Sequence, residues 1–153
     1  MHSRGIYNRG KPQRHYSVMT IEAIAALPVE SLAAKDAHLW IWGISRSLDA
    51  TYAVARAWGF TPMTLVTWCK TGAPGMGHYI RVNTEHCLLA TRGRPMVPVS
   101  KPMASWFNAP KRAHSQKPDE FYAIAEQVSP GPRIELFARQ RWPGWDSWGA
   151  ELG

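Results

Sequence analysis

Glu85 stands at the mouth of an otherwise apolar run, residues 85–91 (EHCLLAT). A carboxylate in that position can orient a ligand, or it can simply mark a strand end that meets water. Alternation along the run puts Glu85, Cys87 and Leu89 on one face and His86 and Leu88 on the other. Cys69 and Cys87 both lie within apolar runs, so they read as buried thiols of a reducing compartment rather than a disulfide framework. The six histidines show no H-E-x-x-H pattern and no Cys/His ligand spacing, and no structural metal is expected. A glycine-rich loop, residues 70–78 (KTGAPGMGH), lacks the Gly-Lys-Ser/Thr ending of a phosphate cradle. It reads instead as a mobile loop near a site. Residues 1–16 interleave Arg4, Arg9, Lys11 and Arg14 with Tyr7 and Tyr16. Such an arm could clamp a phosphate backbone and stack on a base, although a ragged terminus has the same composition. Trp142, Trp145 and Trp148 crowd the tail, where pinning a chain end onto a core outweighs base stacking.

The balance of charge narrows the partner. Eighteen basic against 11 acidic side chains leave a formal charge of +7, which favours a polyanion, nucleic acid first, over a merely solvated basic surface. With 153 residues, 45% of them hydrophobic, the chain suits one domain with a real core and excludes a disordered one. The longest apolar run, residues 39–44, is too short to span a bilayer, and residue 1 opens no signal peptide. A soluble intracellular protein is expected.

The elements that must position these side chains follow from local signals. Thr20 can cap a short helix with Ile21, Ile24, Ala25 and Leu27 inward and Pro28 closing it. Residues 38–44 (HLWIWGI) form a buried strand. Ser47 can cap a helix over 48–58 with Leu48, Tyr52, Ala55 and Trp58 inward, and Gly59 sits where a left-handed C-cap belongs. Residues 63–69 and 85–91 are further strands. Residues 92–113, with Arg92, Arg94, Lys101, Lys111, Arg112 and four prolines, read as an irregular basic lobe. Ser115 and Pro118 then start a helix, Asp119 and Glu120 complement its dipole, and Phe121, Ile124, Ala125 and Val128 make its apolar stripe. Ser129-Pro130-Gly131-Pro132 ends it, and residues 133–139 are a buried strand. A helix returning through a short loop to a buried strand is half of a βαβ crossover, so the expected class is α/β.

Taken together, residues 15–28 (HYSVMTIEAIAALP), 64–93, 114–139 (HSQKPDEFYAIAEQVSPGPRIELFAR) and 144–151 (GWDSWGAE) resemble the MT-A family of adenine N6-methyltransferases. The resemblance runs along nearly the whole chain, a single domain over 1–153. It implies a Rossmann-like, mostly parallel sheet that binds S-adenosylmethionine across the carboxyl ends of its strands. On this chain it implies that Lys117 meets the carboxylate of the methyl donor and Arg139 its ribose, with Gly149 and Glu151 in the adenosine-binding segment. Glu85 and His78 would line the target-adenine side, and Tyr16 would belong to the loop that closes over the target base.

Two departures bear on activity. The family's Asp-Pro-Pro-Trp, whose aspartate and proline carbonyl accept hydrogen bonds from the adenine amine, is absent from residues 1–153. A sheet lacking that strand would leave its neighbours with unpaired edges. Ala150 stands where the family usually has Asn. The expectation is an adenine methyltransferase acting on DNA, with RNA as the alternative, in the cytoplasm of a bacterium or phage-infected host, impaired in this form and N-terminally incomplete. The competing readings are a catalytically silent nucleic-acid-binding relative that supports an active partner in a homo- or hetero-oligomer, and a fragment with no stable function.

Overall fold

The computed structural model describes residues 19–98, 100–113, 116–150 and 152. The chain opens with two short helices, α1 (Ile21–Ala25) and α2 (Val29–Leu32), followed by strand β1 (Ala37–Gly43) and helix α3 (Leu48–Ala57). Strands β2 (Thr61–Thr71), β3 (Thr84–Arg92) and β4 (Trp106–Pro110) come next, then helix α4 (Asp119–Val128) and the short strands β5 (Ile134–Leu136) and β6 (Asp146–Trp148). The local signals act as their chemistry requires. Thr20 Oγ1 accepts the Ala23 N–H at 3.1 Å and caps α1. Gly59 takes the left-handed conformation, φ +82°, just beyond the C-cap of α3. Ser47, by contrast, leaves the start of α3 without a side-chain cap, its hydroxyl turned back to the Ile44 carbonyl.

The main sheet has the order β1-β3-β2-β4. Strand β3 is antiparallel to both β1 and β2, and β4 is parallel to β2, so β1, β2 and β4 run one way and β3 alone opposes them. Helices cover both faces. Leu39 and Ile41 of β1 and Leu88 and Ala90 of β3 pack with Val54, Ala55 and Trp58 against α3, and the Trp58 indole donates to the Ile24 carbonyl at 3.1 Å, tying in α1. Trp40 and Trp42 of β1 and Cys87 of β3 pack on the other face with Phe121, Tyr122 and Ala125 of α4. Strict alternation along β1 and β3 therefore builds two cores, as expected of strands buried on both sides. Leu88 is fully buried; truncation to Ala would cost about 2–5 kcal/mol.

Several expectations are corrected. Residues 133–139 do not join the main sheet; their strand is only Ile134–Leu136, and it pairs in parallel with β6 in a separate two-stranded sheet. Phe137 ends it by entering the left-handed region, φ 59°, where a bulky residue is strained by about 1–3 kcal/mol. Ile134 and Phe137 are about half exposed, so the segment is not a buried strand. The lobe at 92–113 contains β4, held by parallel pairing of Trp106 to Pro110 with Thr67 to Thr71. Ile21 is exposed rather than inward, while Tyr122, outside the apolar stripe read from the sequence, is buried. The tail does pin the chain: the Trp142 and Trp145 indoles both donate to Glu126 Oε1, at 3.1 and 2.8 Å. Trp148 instead sits in β6, edge-on to Phe137 and half exposed.

Among the described residues, no helix is long and apolar enough to cross a membrane. Cys69 and Cys87 are free thiols, Cys87 fully buried and Cys69 partly so.

Candidate active site

The reversed direction of β3 is what assembles the site. Its N-terminal end lies beside the carboxyl ends of β1 and β2, so Trp42 stands opposite Cys87 and Trp68 opposite Glu85. Residues opposite one another in a ladder share a face of the sheet. Lys70, two residues beyond Trp68, shares that face too. The helix α4 begins just after Lys117, above the same end of the sheet, with Pro118 at its N-cap.

These placements bring three charges into contact. Lys117 Nζ donates to Glu85 Oε2 at 2.6 Å and Lys70 Nζ to Glu85 Oε1 at 2.8 Å. All three side chains are largely buried, at 18–22% exposure, so the ion pairs are not of the weak surface kind. Each ammonium also lies over an indole: Lys117 is 4.7 Å from the Trp42 ring and Lys70 is 4.9 Å from the Trp68 ring. The two indoles meet edge-to-face at 6.3 Å. Burial alone would push the Glu85 carboxyl up. Hydrogen bonds from Lys117 and then Lys70, together with their charge, win and hold it below its ordinary value. Glu85 is therefore no strand-end carboxylate meeting water. The cluster carries one negative and two positive charges, and each ammonium has three donors of which Glu85 uses one. It is suited to receive an anion.

Lys117 and Glu85 open onto a cavity of about 1320 Å³. Its walls are β1 along its whole length, Thr51 and Val54 of α3, the stretch from Ser129 to Phe137, and Arg139 and Gln140. That exceeds the ~300–1000 Å³ of an ordinary small-molecule site. β1, which forms one wall, has a single strand neighbour among the described residues.

A second carboxylate lines the same cavity with the opposite electrostatics. Glu135 in β5 accepts the Tyr122 hydroxyl on both oxygens, at 3.0 and 3.1 Å. Burial raises the Glu135 carboxyl, and the hydrogen bond from Tyr122 only partly offsets it. Burial likewise raises the Tyr122 phenol, and the charge of Glu135 raises it further. The two acids of the cavity thus have their proton affinities driven apart, Glu85 by its lysines and Glu135 by burial.

The residues singled out from the sequence sort as follows. Lys117, Glu85 and Arg139 come together around the cavity. His78 sits on the exposed loop after β2, edge-on to Tyr79, and does not line the cavity. Gly149 packs against the main chain of Ala138, where a Cβ would collide with both the carbonyl oxygen and the amide nitrogen. Its place is a close chain approach, and it does not line the cavity. Tyr16 and Glu151 lie outside the described residues. Lys70, Trp42, Trp68, Tyr122 and Glu135 were not read as site residues. Glu135 had a signal, a lone charge between Ile134 and Leu136 in an apolar run. Lys70 had one too, sharing the Trp68 face at i+2. Tyr122 had none, because its role depends on β5 lying beside α4.

Residues 4–151 match the MT-A70 family. The chain belongs to that family. Its curated relatives include the Drosophila melanogaster N(6)-adenosine-methyltransferase MT-A70-like protein, 31% identical over 147 residues that make up 90% of this chain and 24% of that protein. The human N(6)-adenosine-methyltransferase catalytic subunit METTL3 is 29% identical over 147 residues, 90% of this chain and 25% of that protein. The type II methyltransferase M.MunI of Mycoplasma sp is 28% identical over 143 residues, 90% of this chain and 60% of that protein. The chain thus spans about a quarter of the length of the first two. Within this mixed α/β sheet, the Glu85 end of the cavity lies by the carboxyl ends of β1 and β2, the end at which open α/β sheets generally bind ligands.

Proposed function

We propose that this MT-A70 chain is the donor-binding part of an adenine N6-methyltransferase that uses S-adenosylmethionine. The observation carrying the reading is the Lys117–Glu85–Lys70 cluster on one rim of a cavity that also holds Glu135 and Arg139. The donor set suits that molecule: cations for a carboxylate, a carboxylate acceptor for ammonium or hydroxyl groups, and apolar walls for a purine. When bound, S-adenosylmethionine supplies an electrophilic methyl group on a sulfonium. The chain's own residues bind and orient. Lys117 presents its free donors to an anionic group, Glu85 fixes the direction of both lysines, and Trp42 and Trp68 shield them from water and strengthen each contact.

The adenine amine is a poor nucleophile and needs an acceptor held beside it as charge develops. Lys70 and Lys117 each hold one oxygen of Glu85, so the role its contacts support is to orient the two lysines. We infer that the acceptor comes with an Asp-Pro-Pro-Trp element, which residues 1–153 do not contain, and that this chain alone transfers methyl groups slowly if at all. The +7 charge supports a nucleic-acid target of either kind, and the match to a type II methyltransferase favours DNA over RNA; the setting we propose is the cytoplasm of a bacterium or infected host. A duplex target would require the base to be flipped out. The lack of Asp-Pro-Pro-Trp in residues 1–153 also favours a second reading, a silent subunit that binds nucleic acid beside an active partner.

Transfer of label from S-adenosylmethionine to adenine-containing DNA and RNA oligonucleotides, with calorimetry of donor binding, tests both. Donor binding with transfer on addition of the Asp-Pro-Pro-Trp element supports the enzyme. Nucleic-acid binding without donor binding supports the silent subunit.

A further inference from the structure

We propose that Tyr122 is a positioning residue: its hydroxyl fixes the Glu135 carboxylate so that Glu135 holds hydrogen-bond donors of the bound methyl donor. This rests on the S-adenosylmethionine reading above and assigns residues that the resemblance did not.

Tyr122 is clamped on three sides. Its ring stacks on Trp142 at 4.3 Å and 12°, and meets Trp145 at 5.6 Å and Phe121 at 5.8 Å edge-on. Trp142 and Trp145 are themselves fixed by Glu126, which accepts from both indoles. The phenol is therefore held in place, and its single proton is shared between the two oxygens of Glu135. A carboxylate offers about four lone-pair sites. Tyr122 uses a share of two, and the remaining capacity belongs to a residue that lines the cavity.

Ser147 does not itself line the cavity. It is the ladder partner of Glu135, so the two side chains share one face of the β5–β6 pair. Its hydroxyl is buried and makes no hydrogen bond among the described residues. The other charged groups on the surrounding elements are Asp119 and Glu126 on α4, Arg133 at the entry to β5, and Arg139 and Asp146 beyond it. The Gln140 side chain also reaches the Tyr122 hydroxyl.

Tyr122→Phe keeps the clamped ring and removes only the hydroxyl. Binding of S-adenosylmethionine and of 5′-methylthioadenosine to the 153-residue chain is measured by calorimetry across the acid range, for wild type, Tyr122→Phe and Glu135→Gln. The Glu135 carboxyl is titrated by carbon NMR in the free protein. In Tyr122→Phe the carboxyl should titrate at higher pH, because the hydrogen bond that opposed the effect of burial is gone. The acid limb of binding should move with it, with affinity at neutral pH down by about 5–10-fold. Glu135→Gln should abolish that limb. Equal loss for both ligands would assign the donors to the ribose hydroxyls, and loss confined to S-adenosylmethionine would assign them to the ammonium. An unchanged carboxyl titration, or an affinity loss equal at every pH, would overturn the proposal. A wild-type chain that binds neither ligand would overturn the methyl-donor reading and the ligand role of Glu135 with it. The carboxyl titration would even then decide whether Tyr122 governs Glu135.

Discussion

Lys117, just ahead of α4, and Glu85, at the start of β3, meet at 2.6 Å although 32 residues separate them in the chain. Lys70 closes on the other oxygen of the same carboxylate at 2.8 Å. Lys117 therefore reaches the cavity with its position already set by Glu85, so a ligand anion meets a preorganised donor rather than a freely rotating one.

Lys117→Ala should weaken S-adenosylmethionine binding by about 1.5–3 kcal/mol, the worth of a charge-assisted hydrogen bond. Calorimetry reads this directly. A dissociation constant equal to that of the wild type would remove Lys117 from the donor site.

Glu85→Gln leaves two largely buried ammonium groups without their counter-ion. Unfolding in urea at neutral pH should show a loss of about 1–3 kcal/mol. A variant as stable as the wild type would mean that the lysines relax into water at no cost.

The same pair of proteins gives a pH test. The folded-state pKa of Glu85 is lowered, so its contribution to stability is complete above the ordinary carboxylate range and is lost as pH falls through the lowered value. The stability gap between wild type and Glu85→Gln should be constant near neutrality and close on acidification. Glu135 is raised and must do the opposite, its ionisation costing stability as pH rises through its folded value. A Glu85 gap that widens in acid would reverse the assignment.

Joining a segment that carries Asp-Pro-Pro-Trp ahead of residue 1 should raise the rate of methyl transfer to adenine by at least the ~100–1000-fold typical of one preorganised electrostatic contact. Labelled S-adenosylmethionine and adenine-rich DNA provide the assay. Equal turnover by the 153-residue chain would place the amine acceptor among the residues already present.

The edge of β1 that has no strand neighbour among the described residues should make the chain self-associate. Light scattering across a dilution series is expected to show mass rising with concentration. A constant monomer mass up to high concentration would mean that the edge is protected.

The periodic elements were legible in the sequence because they depend on neighbours in the chain. The α3 and α4 helices, the cores of β1, β2 and β3, the Thr20 cap and the left-handed Gly59 all arise from residues a few positions apart. Motif resemblance singles out Lys117, Glu85 and Arg139, and the fold brings all three to the wall of one cavity. Tertiary structure alone decided that Lys117 and Lys70 share Glu85, since that needs β3 to run against β1 and β2. It alone set Glu135 under Tyr122, with Trp142 and Trp145 behind the phenol. The fate of 133–139 was equally hidden. Ile134, Leu136 and Phe137 carry the composition of a buried strand, yet Phe137 turns left-handed and only three residues pair, with β6. Composition records what a segment could bury; which edge it meets is decided by where the rest of the chain has already gone.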